Sequence, residues 1–121
     1  MRCLIVDDSV TFGDAARSTL AGSGVDVIGT AATAAEALEL TRTLRPDIVL
    51  VDVDLGTENG FDVAEDIHRQ ISPRPAVIMI STHDQEDFAD LTAASPALGL
   101  LPKMRLSAAA IRGFISELPD T

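Results

Sequence analysis

Reactive side chains follow four apolar stretches of this 121-residue chain. In chain order they are the carboxylates of Asp7 and Asp8, the carboxylate of Asp52, the hydroxyl of Ser81 and the ammonium of Lys103. An uninterrupted apolar run is typical of a strand buried on both faces of a parallel sheet, and ligands bind at the carboxyl ends of such strands. We therefore expect these side chains to share one cleft, with Asp52 as the reactive group.

Three carboxylates in one cleft restrict its chemistry. Like charges repel, so either the carboxyl pKa values rise or a divalent cation binds between them. A site with a few carboxylates and room for phosphate suits Mg²⁺ better than an all-protein Ca²⁺ cage. Together with Lys103, such a cation would complement a phosphoryl group, which transfers largely through positioning and charge neutralisation. A carboxylate such as Asp52 can act as the nucleophile and form an aspartyl phosphate.

Five predicted strands alternate with five predicted helices. The strands are Arg2–Val6, Val25–Ala31, Asp47–Asp52, Ala76–Ser81 and Leu98–Lys103. The helices are Thr11–Leu20, Thr33–Leu44, Phe61–Ile71, Asp84–Ala94 and Ser107–Leu118. The second helix begins with a Ser/Thr-x-x-Glu capping box. This alternation predicts an α/β fold of βαβ units with a parallel sheet covered on both faces.

Apolar positions within the helices predict part of the core. Phe12, Phe61 and Phe114 fall at helical spacings and are predicted to be core residues. The fourth helix has a weak apolar face that includes Phe88 and Leu91, and its acidic start suits a helix amino end.

The composition indicates a single acidic domain spanning residues 1–121. This length and a hydrophobic content of 46% suffice for one core, so we expect no second, output domain. The formal charge of −10 argues against direct binding to nucleic acid or to an anionic membrane, which favour basic patches. The single cysteine, Cys3, has no intrachain partner and is predicted to be a buried thiol. No apolar run approaches the ~18 residues of a membrane span, so we expect a cytoplasmic protein.

Five short motifs in order resemble the receiver domain of bacterial two-component response regulators. They are Asp7-Asp8, Val49-Leu50-Val51-Asp52, Asn59-Gly60-Phe61, Ile80-Ser81-Thr82 and Leu101-Pro102-Lys103. The resemblance covers nearly the whole chain and implies a flavodoxin-like (βα)5 doubly wound parallel sheet with strand order 2-1-3-4-5. It also implies a phosphorylation switch rather than a turnover enzyme.

The resemblance assigns a metal site. Asp8 and Asp52 would bind Mg²⁺ directly, Asp54 would add its backbone carbonyl, and Asp7 would assist, often through water. Asp54 and His83 would also influence how quickly the acyl phosphate hydrolyses.

The resemblance also assigns the phosphoryl chemistry. Asp52 would accept the phosphoryl group from a sensor histidine kinase or a phosphotransfer protein. Lys103 would pair with the phosphoryl oxygens, Ser81 would shift towards them, and the backbone amide of Thr82 would contact them.

Signal output is where the chain departs from the family pattern. Many receivers have a switch Tyr or Phe where this chain has Leu100, and many have proline where it has Met104. The family's usual dimer or effector face, formed by the fourth helix, fifth strand and fifth helix, would here include Leu98, Leu100, Met104 and Arg105. A homodimer through this face is therefore one expectation.

Two other functions fit parts of the sequence. Asp52-Val53-Asp54 resembles the start of haloacid-dehalogenase-type phosphatases, but Gly56 departs from that motif and Asp7-Asp8 would have no role. Alternatively, a receiver that is not phosphorylated could act as an interaction module, although the intact acidic set argues against this.

Overall fold

The computed structural model describes residues 1–83 and 85–116. Its main sheet contains five strands, numbered along the chain as β1 (Arg2–Val6), β2 (Asp26–Ala31), β3 (Ile48–Asp52), β4 (Ala76–Ser81) and β5 (Leu100–Pro102). The α-helices are α1 (Val10–Leu20), α2 (Ala34–Leu44), α3 (Gly60–Gln70), α4 (Ala89–Ala94) and α5 (Ala108–Ile115). The strand order is β2-β1-β3-β4-β5, and neighbouring strands are parallel. The predicted fold and strand order are confirmed.

Alternate strand residues supply two hydrophobic clusters, one on each face of the sheet. In β1, Leu4 and Val6 belong to the cluster that includes residues of α2 and α3. Cys3 and Ile5 belong to the other cluster, which includes residues of α1 and α5. Because successive side chains of a strand point to opposite faces, a wholly apolar strand is buried on both sides.

Polar caps fix where the helices begin. The side-chain oxygens of Ser9, Thr33, Asn59 and Ser107 accept backbone hydrogen bonds at the starts of α1, α2, α3 and α5. In α2, Thr33 Oγ1 accepts from Glu36 N at 3.2 Å, as the capping-box pattern predicts. The return bond runs from Ala32 N to Glu36 Oε1 at 3.3 Å, one residue before the usual donor.

The fourth helical segment and the fifth strand are shorter than predicted. A 3₁₀ turn over Gln85–Phe88 precedes α4, whereas Asp84 lies outside the described residues. Leu91 is 52% exposed, so its predicted place on an apolar face is wrong. Lys103 begins a 3₁₀ turn directly after Pro102, which has no N–H to extend the strand ladder.

Predictions for the dimer face and for two of the core phenylalanines also need correction. Leu100 is only 3% exposed and belongs to the core, so it does not contribute to the predicted dimer face, whereas Met104 is exposed. Phe61 is buried, but Phe12 and Phe114 are only partly buried and pack against a core cluster.

The predicted end of the last helix at Leu118 lies outside the described residues. Within the described part of the chain, no helix has the length and apolarity needed to cross a membrane.

Candidate functional site

The end of β1 places two adjacent carboxylates in different surroundings. Asp7 is 6% exposed, and its Oδ1 accepts a hydrogen bond from Ser9 N at 2.8 Å. Its backbone N–H donates to Ala31 O, which ties the turn to β2. Asp8 is exposed. The turn therefore buries one carboxylate and presents the next one to solvent.

Asp52 ends β3 and is 7% exposed. Its Oδ1 accepts from Asp54 N at 3.2 Å, and its Oδ2 accepts from Lys103 Nζ at 3.0 Å. Burial raises the pKa of the Asp52 carboxyl, while the bonds from Lys103 and from the Asp54 amide oppose this rise and Asp7 adds to it. The hydrogen bonds to the Asp52 carboxylate therefore do not fully replace the hydration that it loses on burial.

The loop after Asp52 is held by close backbone packing. Gly60 N donates to Val53 O at 2.8 Å, and Val53 N donates to Ile80 O at 3.0 Å. A Cβ on Gly60 would lie 1.8 Å from Asp52 O, so only glycine fits at this position. Between these points, Asp54–Leu55 and Glu58–Asn59 form a short antiparallel ribbon. The ribbon sets the direction in which the chain leaves Asp52.

Lys103 lies between two carboxylates and an aromatic ring. Its Nζ is 2.6 Å from Asp7 Oδ2 and 3.0 Å from Asp52 Oδ2, and it lies 4.5 Å from the centre of the Phe12 ring. Burial lowers the pKa of the ammonium, but the bonds to Asp7 and Asp52 outweigh this and raise it. Lys103 is therefore a fixed positive charge in the cleft.

The three carboxylates predicted to bind metal lie together. One oxygen each from Asp7, Asp8 and Asp52 can be chosen so that all three lie within 4.8 Å of one another. Two of these carboxylates are buried and anionic oxygens suit a hard cation, while exposed Asp8 leaves a path from solvent. The donor set therefore fits a divalent metal ion.

The end of β4 brings Ser81, Thr82 and His83 to the same cleft. Ser81 is buried, and its Oγ accepts from His83 N at 3.0 Å. Thr82 and His83 are exposed, and the His83 ring meets the Phe88 ring edge-on with centres 5.8 Å apart. The hydroxyl of Ser81 thus lies at the edge of a turn that it helps to hold.

The structure brings all of the predicted site residues into one cleft of about 630 Å³. Its lining includes Asp7, Asp8, Asp52, Asp54, Ser81, Thr82 and Lys103. The sequence interpretation missed Phe12 beneath Lys103, and it missed Glu58, whose Oε1 accepts from Ala34 N at the start of α2. Neither contact had a local signal in the sequence, because each joins residues that are far apart along the chain.

Fold and site together define an α/β domain with an acidic cleft where the strand order reverses, between β1 and β3. A family model described as the response regulator receiver domain matches residues 3–111. The chain therefore belongs to this family, the receiver domains of two-component response regulators.

Individual relatives agree with this assignment. Sensory transduction protein LytT of Bacillus cereus is 34% identical over 86 residues, which cover 70% of this chain and 35% of the relative. A protein-glutamate methylesterase/protein-glutamine glutaminase of Methanosarcina acetivorans is 41% identical over 83 residues, which cover 68% of this chain and 23% of the relative. The crystal structure of a LuxR-family two-component response regulator from Aurantimonas sp. has a TM-score of 0.81 at 27% identity and covers 95% of this chain and 82% of that one.

The chain is shorter than these curated relatives. It spans between 23% and 35% of the length of the two curated relatives just described. The similarity therefore concerns the receiver domain, and the activities of the whole relatives are separate properties.

Proposed function

We propose that residues 1–121 form one receiver domain that accepts a phosphoryl group on Asp52. The observation that carries this proposal is the position of the Asp52 carboxylate, 3.0 Å from the only lysine of the chain and beside two further carboxylates. A nucleophile next to a fixed cation and a metal-binding set is the arrangement that phosphoryl transfer requires. The phosphodonor would be a histidine kinase or a phosphotransfer protein.

The transfer step exchanges one bond to phosphorus for another. The P–N bond of the donor phosphohistidine breaks while an Asp52 carboxylate oxygen forms a P–O bond, and the leaving imidazole takes up a proton. Lys103 donates to the transferred oxygens and offsets their charge. Because Lys103 is held by Asp7 as well as by Asp52, it keeps a partner when Asp52 becomes modified.

Asp8 and Asp52 would hold Mg²⁺ together with the backbone carbonyl of Asp54, and Asp7 would act through water. When bound, Mg²⁺ neutralises charge on the phosphoryl oxygens. The side chain of Asp54 is already used locally, since its Oδ1 accepts from Gly56 N at 3.0 Å. The contribution to the metal that we propose for Asp54 is its backbone carbonyl.

Ser81 and Thr82 would report the modification. The Ser81 hydroxyl accepts from His83 N and carries a hydrogen that it can donate to a phosphoryl oxygen. The Thr82 amide would contact another oxygen. If Ser81 moves towards the phosphoryl group, the change reaches His83 and then the ring of Phe88, rather than an aromatic residue at position 100.

The partners of this domain follow from the same proposal. The donor is a kinase or phosphotransfer protein, and a homodimer through the face of α4, β5 and α5 would use exposed residues such as Met104 and Arg105. The activities of the longer relatives belong to those whole proteins and are not part of this proposal. The proposed location is the cytoplasm.

Incubation with acetyl phosphate and Mg²⁺, followed by intact-mass measurement, tests the proposal. We expect one added phosphoryl group, which does not form when the metal is chelated beforehand and is absent from Asp52→Asn. Labelling that persists in this variant would refute the assignment. The same samples, supplied with a small phosphomonoester, distinguish a receiver from a phosphatase, because only a phosphatase releases phosphate over many turnovers.

A further inference from the structure

We propose that Phe12 is a positioning residue for Lys103: its ring face supports the ammonium and directs it towards the phosphoryl site. This inference rests on the proposed function, because it concerns the group expected to bind the phosphoryl oxygens. It assigns a role to a side chain that sequence patterning predicts to be core packing alone.

The contact is a cation–π interaction in a largely dry place. Lys103 Nζ lies 4.5 Å from the centre of the Phe12 ring, within the ~6 Å range of such contacts. The Lys103 side chain is 13% exposed, so little water competes with the ring. Of the described aromatic rings, Phe12 is the one that lies beneath an ammonium.

The ring supports the ammonium without using a hydrogen-bond acceptor. A lysine ammonium has three N–H donors, and oxygens of Asp7 and Asp52 lie 2.6 and 3.0 Å from Nζ. The face of an aromatic ring attracts the whole charge rather than one N–H. At least one donor is thus left for a phosphoryl oxygen, while the Phe12 ring of α1 lies against the ammonium.

The sequence fixes Phe12 through the same carboxylate that holds Lys103. Asp7 Oδ1 accepts from Ser9 N at 2.8 Å, and Ser9 Oγ accepts from Phe12 N at 3.2 Å. Phe12 therefore occupies the first turn of α1 at a position set by the end of β1, and its ring also packs against the second hydrophobic cluster. The ring therefore packs against the core and presents a face to the Lys103 ammonium.

Lys103 is the only lysine among the 121 residues, so its environment can be measured without ambiguity. In protein labelled with ¹³C-lysine, the ε-methylene gives one signal. The ring current of Phe12 should shift this signal upfield from its position in urea-unfolded protein. An ε-methylene signal at the unfolded position would overturn the proposal, and this measurement needs neither a variant nor phosphorylation.

Three variants separate positioning from packing. Phe12→Leu removes the π face, Phe12→Tyr retains it, and Phe114→Leu makes the same change on α5 in the same cluster without touching the Lys103 contact. We expect Phe12→Leu to slow phosphorylation by acetyl phosphate by roughly 2- to 30-fold, the range that a cation–π contact supports. Phe12→Tyr and Phe114→Leu should stay within about twofold of the parent protein.

The double variant Phe12→Leu/Lys103→Met completes the test. If Phe12 acts through Lys103, Phe12→Leu should have no further effect once Lys103 is replaced. An equal loss of rate in the Phe114→Leu variant, or a full additional loss in the Lys103→Met background, would show ordinary packing and refute the proposal. If the parent protein is not phosphorylated at all, the proposed function fails, and the lysine signal still decides whether the contact exists.

Discussion

Gly60 has no room for a side chain, and Gly60→Ala is expected to damage the site directly. A Cβ at this position would lie 1.8 Å from Asp52 O, 2.7 Å from Asp52 C and 3.0 Å from Val53 Cα. These are backbone atoms of the segment that carries the proposed nucleophile. They cannot rotate away as a flexible side chain would, so the segment itself must move.

The size of the effect follows from the distance. Relief of the contact requires the 1.8 Å distance to grow to at least 3.0 Å, a backbone shift of about 1.2 Å or more. Overpacking of this kind costs roughly 1–3 kcal/mol or more. A misplacement of about 1 Å in a reacting group lowers a rate by roughly 10²-fold. We therefore expect both a lower free energy of unfolding and a much slower phosphorylation of Asp52.

Urea unfolding and the rate of labelling by acetyl phosphate measure the two effects. Gly113→Ala is the matched control, because a Cβ at Gly113 in α5 meets no atom within 4 Å. Replacing glycine inside a helix should stabilise the protein by roughly 0.5–1 kcal/mol. If Gly60→Ala were as stable and as readily phosphorylated as Gly113→Ala, the described packing of the loop against Asp52 would be wrong.

Three further predictions concern other groups. Burial raises the pKa of the Cys3 thiol from 9.0 to about 12. The folded state therefore keeps a proton that the unfolded state loses, and stability should fall by about 2–3 kcal/mol more between about pH 8 and pH 11 than in Cys3→Ala, as measured by urea unfolding. Asp8→Asn should weaken Mg²⁺ binding roughly tenfold or more in calorimetry. The control Asp26→Asn, which removes an exposed charge at the start of β2, should not weaken it. Equal effects of the two variants would contradict the proposed metal site. Glu58→Ala should leave Mg²⁺ binding nearly unchanged but lower the free energy of unfolding by about 1 kcal/mol. It should also speed hydrogen exchange at Ala34 N, which donates to Glu58 Oε1 at 3.0 Å. Unchanged exchange would show that this hydrogen bond is absent.

Much of the fold was predictable because the strands are buried on both faces. The apolar runs of β1, β3 and β4 strongly predict buried strands. The polar residues that follow them must then lie at one edge of a parallel sheet. This reasoning brought Asp52 together with Asp7 and Asp8. The strand order came from the family resemblance, since alternation of strands and helices alone does not determine it.

The failures occurred where packing decides what patterning leaves open. Leu100 lies on an edge strand and was expected at a surface, but it is buried in one cluster while Leu101 is buried in the other, because both faces of β5 are covered. Leu91 has a helical spacing, but the short helix α4 leaves it exposed. Phe12 has the spacing of a core residue, and its contact with Lys103 depends on how the chain folds across 91 residues, information that a local pattern does not contain.

The loop between β3 and α3 was also beyond sequence reasoning. Its ribbon depends on the pairing of Asp54–Leu55 with Glu58–Asn59 and on the close approach of Gly60 to β3. Glycine at 56 and 60 signals unusual backbone, but not which atoms come near.

The most direct test of the central claim is chemical identification of the modified residue. Protein treated with acetyl phosphate and Mg²⁺ is reduced with borohydride, which converts an aspartyl phosphate to homoserine, and the peptides are analysed by mass spectrometry. The proposed function predicts homoserine at position 52 and unmodified aspartate at positions 7, 8 and 54. Homoserine at any of these other positions, or none at position 52 in protein that binds Mg²⁺, would contradict it.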